Sequence, residues 1–271
     1  MNKNKLLLAG VIGTLLSGVA SPVLAASDGW EFAVTPYIWL PTVNGDLNFE
    51  GTSGGGGPGN EVPGVELGPN DYLSNIDFAF AIAGEAHHGE WGLLTDFFYF
   101  NGDVSHSKVR TLTGPGGVVV VPINRDTKVN LEDTLFKLAG TYEVFRDRRS
   151  YMDVVGGFRW YSIDTELEWR FEAPTAGLSA SGKVSQDQDI WNAIIGVNGR
   201  VQLGDGNWFM PYYVDYGFGN VDSWEGNIGV GYTFGWGDLI LSDHYMKLQN
   251  GDELVDNLEL NGVQIAASFR F

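Results

Sequence analysis

The last eleven residues of the chain, 261–271 (NGVQIAASFRF), alternate between two kinds of side chain. The apolar kind occupies every second position, at Val263, Ile265, Ala267, Phe269 and Phe271, and the residues between them are polar or small. Because successive side chains of a β-strand point to opposite faces of a sheet, this spacing predicts a strand with one wholly apolar face. Such a face packs on a protein core or on lipid, so this segment is compatible with a soluble sandwich and with a membrane barrel.

Nine further segments of the chain show the same period of two. They cover residues 30–40, 75–86, 91–101, 129–145, 151–162, 190–203, 208–218, 224–234 and 239–248, and the final strand takes residues 258–271. Alternating runs bounded by turn residues, with almost no helical periodicity, predict an all-β fold of about ten antiparallel strands, within a range of 8–12. One residue breaks the pattern. Asp243 falls on the apolar face of the ninth segment, where a β-bulge would turn it away.

The connections between these segments are unequal. Those at residues 87–90, 146–150, 204–207 and 235–237 are short, whereas those at 41–74, 102–128 and 163–189 are long, and 219–223 is a short exception. Short turns at one end and long loops at the other, with both termini at the short-turn end, are typical of membrane β-barrels. Aromatic residues near the segment ends suit the girdles of such a barrel: Trp30, Trp91, Trp160, Trp191, Trp208, Trp224 and Tyr232. The sequence therefore predicts a transmembrane, antiparallel, up-and-down β-barrel.

The amino terminus has the pattern of a secretory signal peptide. Lys3 and Lys5 precede an apolar run at residues 6–19, and the small residues Val23 and Ala25 precede the expected cleavage point. The apolar run is too short, and too rich in Gly, Ser and Thr, for a membrane helix of about 20 residues. We therefore expect a signal peptide over residues 1–25 and a barrel domain over residues 26–271. A closed barrel can cross a membrane without a helix, because closure pairs every backbone polar group.

Composition removes several classes of function. The chain has no Cys, which excludes disulfides, zinc–thiolate sites and cysteine nucleophiles. Its formal net charge of −18 argues against nucleic acid and anionic lipid surfaces as partners. No motif calls for a cofactor or a metal, and none is expected. An acidic surface of this kind fits cation binding or simple solubility.

Four stretches resemble a family of proteobacterial, porin-like outer-membrane barrel proteins. They are TPYIWLPTVNGDL (residues 35–47), NIDFAFAIAGEAHHGEWGLLTDFFYF (75–100), DVVGGFRWYSID (153–164) and the terminal AASFRF. The resemblance covers nearly the whole chain after the signal region. It implies the outer membrane of a Gram-negative bacterium, with lipid and lipopolysaccharide around the barrel and the barrel-assembly machinery engaging the C-terminal strand. It transfers no substrate and no catalytic residue.

With the apolar faces turned to lipid, the other faces line the lumen. The lumen-lining residues predicted in this way are nine acids, Glu31, Asp77, Glu85, Asp96, Asp133, Glu143, Asp153, Asp215 and Glu225, and four bases, Lys137, Arg159, Arg200 and Arg270. Either these groups pair and plug the barrel, with Arg159 and Arg200 neutralising carboxylates such as Asp153, or a narrow cation-preferring channel remains. Ten strands lie nearer to filled eight-stranded barrels than to open barrels of 16–18 strands, which favours a plugged or very narrow interior.

Two other function classes stay open. One is a surface binding protein for divalent cations or an external partner, using the loop acids Glu50, Glu61, Glu66, Asp71, Asp103, Asp187, Asp189, Asp252 and Glu253. The other is a hydrolase at the outer rim that would use Ser105 and His106 with a neighbouring acid. Neither a Gly-x-Ser-x-Gly nor a His-Glu-x-x-His motif is present, so a non-enzymatic role is favoured. His87 and His88 are better explained by a solvated turn than by a metal pair.

Overall fold

The computed structural model describes residues 29–47, 65–73, 76–104, 124–173, 178–219, 221–249 and 255–271. The described chain forms eleven strands and one short helix. The elements are β1 (Trp30–Leu47), β2 (Val65–Leu67), α1 (Pro69–Tyr72), β3 (Ile76–His88), β4 (Trp91–Val104), β5 (Asn124–Arg146), β6 (Tyr151–Ala173), β7 (Leu178–Gln202), β8 (Trp208–Gly219), β9 (Asp222–Thr233), β10 (Asp238–Gln249) and β11 (Val255–Arg270).

The sheet closes on itself. From β3 to β11 each strand pairs with the next in antiparallel fashion, and β1 pairs with both β3 and β11. At the seam Phe32 and Phe271 exchange two backbone hydrogen bonds of 2.9 and 3.0 Å, and Ile38 faces Ile265. The short β2 is an addition that pairs only with the far end of β1. The prediction of a ten-stranded antiparallel up-and-down barrel is therefore confirmed.

Two ends of the barrel are distinct. The short-turn end carries the connections at residues 89–90, 147–150, 203–207 and 234–237 together with Gly29 and Phe271; the opposite end is called the long-loop end. At the short-turn end Gly89 and Gly204 have φ values of 61° and 67°, a conformation that tight hairpin turns require and that glycine adopts without strain. At the long-loop end the Tyr72 hydroxyl of α1 donates a 2.7 Å hydrogen bond to the Pro41 carbonyl, and burial raises the pKa of Tyr72.

The outer surface of the barrel is apolar. Its exposed large side chains include Ile38, Leu93, Val154, Ile195 and Leu241, which come from β1, β4, β6, β7 and β10 and so from strands around much of the circumference. At the short-turn end aromatic rings form a continuous row of contacts, from Trp208 through Tyr232, Phe234 and Trp236 to Phe269. Nearer the long-loop end Trp224 packs on Tyr216, and Trp191 packs on Trp160 and Phe158. The apolar faces predicted from the alternation thus point outward.

Strand lengths differ from the sequence prediction. The sequence predicted a long loop over residues 163–189, but residues 163–173 and 178–189 instead extend β6 and β7, which stay paired up to Ala173 and Leu178. The last pair between β7 and β8 is Asn192 with Gly219, so the ends of β6 and β7 project beyond the neighbouring strands. Residues 178–189 (LSASGKVSQDQD) are polar at most positions, so the sequence shows little alternation there. Residues 163–173 (IDTELEWRFEA) do alternate, and this signal for a longer β6 was missed. We call the outer parts of β5, β6 and β7 the three-strand projection.

The expected bulge at Asp243 is absent. β10 pairs with β9 and with β11 without any register shift; Asp243 faces Ile228 on one side and Val263 on the other, and it is exposed on the outer surface. The register shifts lie elsewhere, at Asp46/Leu47, Ile76/Phe78 and Glu143/Phe145. The signal peptide predicted over residues 1–25 and most of the Gly-rich stretch 51–68 lie outside the described residues.

Candidate functional site: the barrel interior

Charged side chains from four strands meet at the centre of the barrel. Lys137 of β5 donates a 2.7 Å hydrogen bond from Nζ to Oε1 of Glu225 on β9. Arg159 of β6 donates from Nη2 to Asp215 on β8 and to Ser223 on β9, each at 2.8 Å, and its Nη1 also binds Glu225. Two cations and two carboxylates therefore form a balanced set, which we call the central charged cluster (Lys137, Arg159, Asp215 and Glu225). All four are buried.

The central charged cluster is joined to the opposite wall of the barrel through His244 of β10. Its Nε2 lies 3.1 Å from Oε1 of Glu225, and its ring stacks on Trp39 of β1 with 4.2 Å between ring centroids. Trp39 in turn packs on Phe98 of β4 at 5.7 Å. Side chains thus touch one another across the interior from β4 and β1 to β5 and β6. Among the described residues, these contacts cross the lumen at this level.

Tyr37 and Asp96 form a hydrogen-bonded pair beside this contact. The Tyr37 hydroxyl of β1 donates a 2.9 Å hydrogen bond to Oδ1 of Asp96 on β4. On the other side of the cluster, the Tyr213 hydroxyl donates to Asp215, and Lys137 Nζ lies 4.2 Å from the centroid of the Tyr213 ring. Buried charges are tolerated only when they are paired and hydrogen-bonded, and these phenols supply the additional hydrogen bonds.

Towards the long-loop end the interior is apolar, which the sequence analysis did not predict. Its buried side chains pack as one cluster that includes Trp39, Tyr161, Ile163, Ile190, Val221, Met246, Leu248, Leu258 and Leu260. Met246 and Leu248 alternate with Lys247 and Gln249, and Leu258 and Leu260 alternate with Asn257, Glu259 and Asn261. The inner face of β10 and β11 is therefore apolar here and the outer face polar, the reverse of the arrangement nearer the short-turn end. Asp133 is buried close by, within hydrogen-bonding reach of the Tyr161 hydroxyl. This apolar cluster lies between the central charged cluster and the long-loop end.

A second ion-pair group lies at the short-turn end around Asp238, which was not among the predicted lumen residues. Arg200 donates a 2.9 Å hydrogen bond to Oδ2 of Asp238 and a 2.8 Å bond to Thr233, and Arg270 also binds Asp238. The Arg200 guanidinium lies 3.4 Å from the centroid of the Phe209 ring. Asp238 directly follows the turn at 234–237. The alternation of β10 could have identified it as a lumen residue, because it is an even number of positions from Ser242 and His244, which face the interior.

Asp153 was expected to pair with Arg159 or Arg200, and this expectation is wrong. Arg159 binds Asp215 and Glu225 instead, and Arg200 binds Asp238. Asp153 is fully buried, and neither of its carboxylate oxygens has a hydrogen-bond partner among the described residues. The reason for the error is geometric, because neighbouring positions on paired strands do not decide which long side chain reaches across the interior.

The remaining predicted lumen residues lie towards the two rims. Glu85 and Glu143 are half-buried near the short-turn end, where Glu85 contacts His87 at 3.7 Å and Glu143 pairs with Arg146. Glu31 and Arg270 are exposed at the same end, and Asp77 is exposed at the other end, next to a register shift in β3. Of the predicted lumen residues that the structure describes, the exposed ones therefore lie near the rims.

The alternative sites of the sequence analysis fall largely outside the described residues. This applies to Ser105 and His106 of the hydrolase hypothesis and to Glu50, Glu61, Asp252 and Glu253 of the binding hypothesis. The side chains of Glu66, Asp71 and Asp103 are likewise not described. Asp187 and Asp189 lie exposed on β7 in the three-strand projection, where Asp189 accepts a 3.1 Å hydrogen bond from the Trp160 indole. Within the described ranges, no three His, Asp or Glu residues are grouped as metal ligands.

The closed sheet, apolar exterior and paired interior define a ten-stranded antiparallel β-barrel. Among solved structures, the chain is similar to the outer-membrane protease OmpT of Escherichia coli, with a TM-score of 0.53 and 10% identity over 92% of this chain and 98% of that chain. It also matches the translocator domain of the autotransporter NalP of Neisseria meningitidis, with a TM-score of 0.43 and 12% identity over 99% and 98% of the two chains. Ail of Yersinia pestis matches with a TM-score of 0.32 and 8% identity over 90% and 99%.

At these identities the likeness shows the fold alone, and the OmpT comparison is the one that carries it. No protein-family model matches the chain, and no curated protein matches its sequence. No helix in the described part of the chain is long and apolar enough to cross a membrane.

Proposed function

We propose that this chain is an integral barrel of the outer membrane of a Gram-negative bacterium and that its interior is closed to ions. The membrane assignment is supported by the inverted polarity of the barrel: aliphatic side chains such as Ile195 and Ile228 are exposed outside, while Lys137 and Arg159 are buried inside. In water the exposed band would favour aggregation, whereas in lipid it is matched to its surroundings. Closure of β1 on β11 leaves no unpaired sheet edge in the band.

The closed interior is supported by the side-chain contacts that cross it. Phe98, Trp39 and His244 lead from β4 and β1 to Glu225, and Glu225 binds both Lys137 and Arg159 on the far wall. A water file would separate these groups, yet they touch. The apolar cluster adds a second layer of aliphatic and aromatic side chains, which cannot replace the hydration shell of a permeating ion. The plugged alternative of the two lumen hypotheses is thus the one that the geometry favours.

In this proposal the barrel is a structural support, and its working surface is the long-loop end. The barrel holds β6 and β7 rigidly, so that their paired ends stand out beyond β8 and β9. A second candidate function, binding of an external partner at the three-strand projection, is favoured by one observation. Lys183 forms a 2.7 Å ion pair with Glu166 across the two strands, which orders this exposed surface. Deleting residues 167–187 should abolish such binding and leave the barrel folded.

The location is tested by cell fractionation and gel migration. We expect the protein in the outer-membrane fraction, and we expect unboiled protein to migrate differently from boiled protein, because a closed barrel resists unfolding by detergent. Recovery of the folded protein from the soluble periplasm would rule out the membrane assignment.

The closed interior is tested by recording in planar lipid bilayers. The wild-type protein should give no steady conductance, and the same preparation should show the folded, heat-modifiable band, so that silence cannot be explained by missing protein. Steady single-channel steps from the wild type would overturn the closed interior while leaving the membrane location intact.

A further inference from the structure

Asp243 is an acidic residue on the apolar outer surface of the barrel. It lies on β10 in unbroken register between Ile228 of β9 and Val263 of β11, both of which are exposed. Along β9, Ile228 is midway between Trp224 and Tyr232, which belong to the aromatic contacts of the two ends. Asp243 is therefore at the middle of the band that the proposed function assigns to lipid.

A carboxyl group at this depth needs a partner. Among the described residues the Asp243 side chain makes no hydrogen bond and no ion pair. Ionisable residues are rare inside membranes because hydrocarbon does not solvate them, and they generally mark a contact or a functional site. Lipid headgroups do not reach the midpoint between two aromatic girdles. The missing partner is therefore best supplied by another protein surface that spans the same membrane.

The surface next to Asp243 has a hollow and one hydroxyl donor, that of Tyr245. Gly226 on β9 is paired with Tyr245 and Val214, and a Cβ atom built there would meet nothing closer than the Tyr213 carbonyl oxygen at 4.0 Å. The resulting groove has a volume of about 340 Å³ and is lined by Tyr212, Gly226, Asp243 and Tyr245 among others. The Tyr212 hydroxyl lies over Gly199 of β7, away from the groove, whereas within the described chain no hydrogen bond to the Tyr245 hydroxyl is present.

We propose that this groove is an interface between two copies of the chain, in which Asp243 of each copy accepts a hydrogen bond from a tyrosine hydroxyl of the other. The inference rests on the proposed membrane location. A two-fold interface brings the same patch of both subunits together, so an acceptor beside a donor on one patch is satisfied by the same pair on the other. Tyr245 is two residues from Asp243, roughly 6.5 Å along the strand, which is within the reach of a tyrosine side chain.

The choice of a second copy follows from the chemistry of the patch. Around Asp243 the exposed residues Leu241, Ile228 and Val263 are aliphatic, so an unrelated cationic partner would find only one carboxyl group to bind and would leave the Tyr245 hydroxyl unused. A second copy brings an acceptor for that hydroxyl, a donor for Asp243 and a hollow that can receive the tyrosine of the other copy. The hydrogen bonds then form in a medium without competing water, where an unpaired carboxyl is most costly.

Cysteine cross-linking of the full chain in lipid vesicles tests the interface. The chain has no Cys, so single substitutions report one position each. Ile228→Cys and Val263→Cys flank Asp243 and should give a cross-linked dimer on oxidation. Leu93→Cys is the matched control, because Leu93 is similarly exposed on the outer face of β4, away from β10. Equal cross-linking at Ile228→Cys and Leu93→Cys would contradict the interface.

Two further variants, each in the Ile228→Cys background, separate charge from shape. Asp243→Leu should lower the cross-linked fraction by about tenfold, as expected for loss of a charge-assisted hydrogen bond, and Asp243→Asn should lower it less because an acceptor oxygen remains. Gly226→Val fills the hollow without an internal clash and should also prevent the dimer. An unchanged dimer in both Asp243→Leu and Gly226→Val would overturn the inference.

The same samples distinguish this inference from the membrane assignment. If the heat-modifiable band forms in vesicles but no dimer is cross-linked, the interface is wrong and the membrane barrel stands. If cross-links form in cells only to a different protein, the second copy is the wrong occupant. If the chain does not insert into vesicles at all, the proposed function fails first.

Discussion

At the scale of single residues, the interior depends on one cation held by two strands. Arg159 is completely buried and binds Asp215, Ser223 and Glu225. Placing a guanidinium in a protein interior is costly, and the cost is offset only while both carboxylates remain in contact with it. Lys137 shares Glu225, so removing Arg159 would leave one cation against two buried acids. The local balance of charge is therefore the quantity to test.

Replacing Arg159 with Met should lower the free energy of unfolding by about 3–5 kcal/mol, the usual effect of leaving a buried charge uncompensated. The measurement is urea-induced unfolding in lipid vesicles, followed by tryptophan fluorescence and by the gel shift. Arg148→Met is the control, since Arg148 is exposed in the turn at 147–150 and should change stability little. Equal stability of Arg159→Met and the wild type would show that the ion pairs contribute nothing.

These pairs were only half predictable from the sequence. Alternation indicated that Arg159 and Glu225 share the inner face, because a strand fixes direction by its period of two. It did not indicate that they meet, since they are 66 positions apart and their strands are not neighbours in the sheet. Which residues meet depends on side-chain reach across the interior. The expected partner of Arg159, Asp153, was wrong for that reason.

At the scale of elements, adjacent glycines on β6 show how closely this strand approaches β5. A Cβ atom at Gly157 would lie 2.2 Å from the Leu138 carbonyl oxygen and 2.4 Å from the Ala139 Cα atom. A Cβ atom at Gly156, one residue earlier, would meet nothing within 4 Å. Backbone atoms cannot move aside as a flexible side chain can. Gly157 is therefore needed for the pairing of β5 with β6, and Gly156 is not.

Gly157→Ala should destabilise the folded barrel by about 1–3 kcal/mol, the range for forced overpacking. Gly156→Ala should fold with the same yield and stability as the wild type, and it is the matched control because it makes the same chemical change one position away. Refolding yield into detergent micelles and the urea midpoint are the measurements. A larger loss from Gly156→Ala than from Gly157→Ala would mean that the strand faces are assigned the wrong way round.

The elements were most predictable in the band that the proposed function assigns to lipid. All ten barrel strands follow alternating segments, because an apolar face and a small or polar face are both required inside the membrane band. Beyond the band this requirement ends. The stretch at residues 178–189 (LSASGKVSQDQD) is polar at most positions, yet it forms part of β7 through backbone pairing with β6.

At the scale of the whole molecule, the distribution of polarity is opposite to that of a soluble protein. Val230→Arg introduces a charge on the outer band. Val230 is the next outward-facing residue after Ile228, which is at the midpoint of the band. We expect a loss of about 2 kcal/mol in lipid vesicles. Asp187→Arg, on the exposed three-strand projection, is the control and should have little effect. Wild-type stability of Val230→Arg in lipid would contradict an outward, lipid-facing position.

The closed interior also predicts what an opened barrel should do. Replacing Trp39, Arg159, Glu225 and Met246 together with Ala removes the contacts that cross the lumen and one member of each charge sign, so the charge balance of the interior is unchanged. This variant should show single-channel steps in planar bilayers. Its current should be carried mainly by cations, because the acids that remain on the inner face, among them Asp96, Asp133 and Asp153, outnumber the bases that remain there. Raising the salt from 0.1 M to 1 M shortens the screening length from about 10 Å to about 3 Å, so the cation preference should weaken.

A variant with Arg148 and Glu90 replaced by Ala changes only exposed turn residues and should remain silent. Anion selectivity in the opened barrel would contradict the acidic lumen.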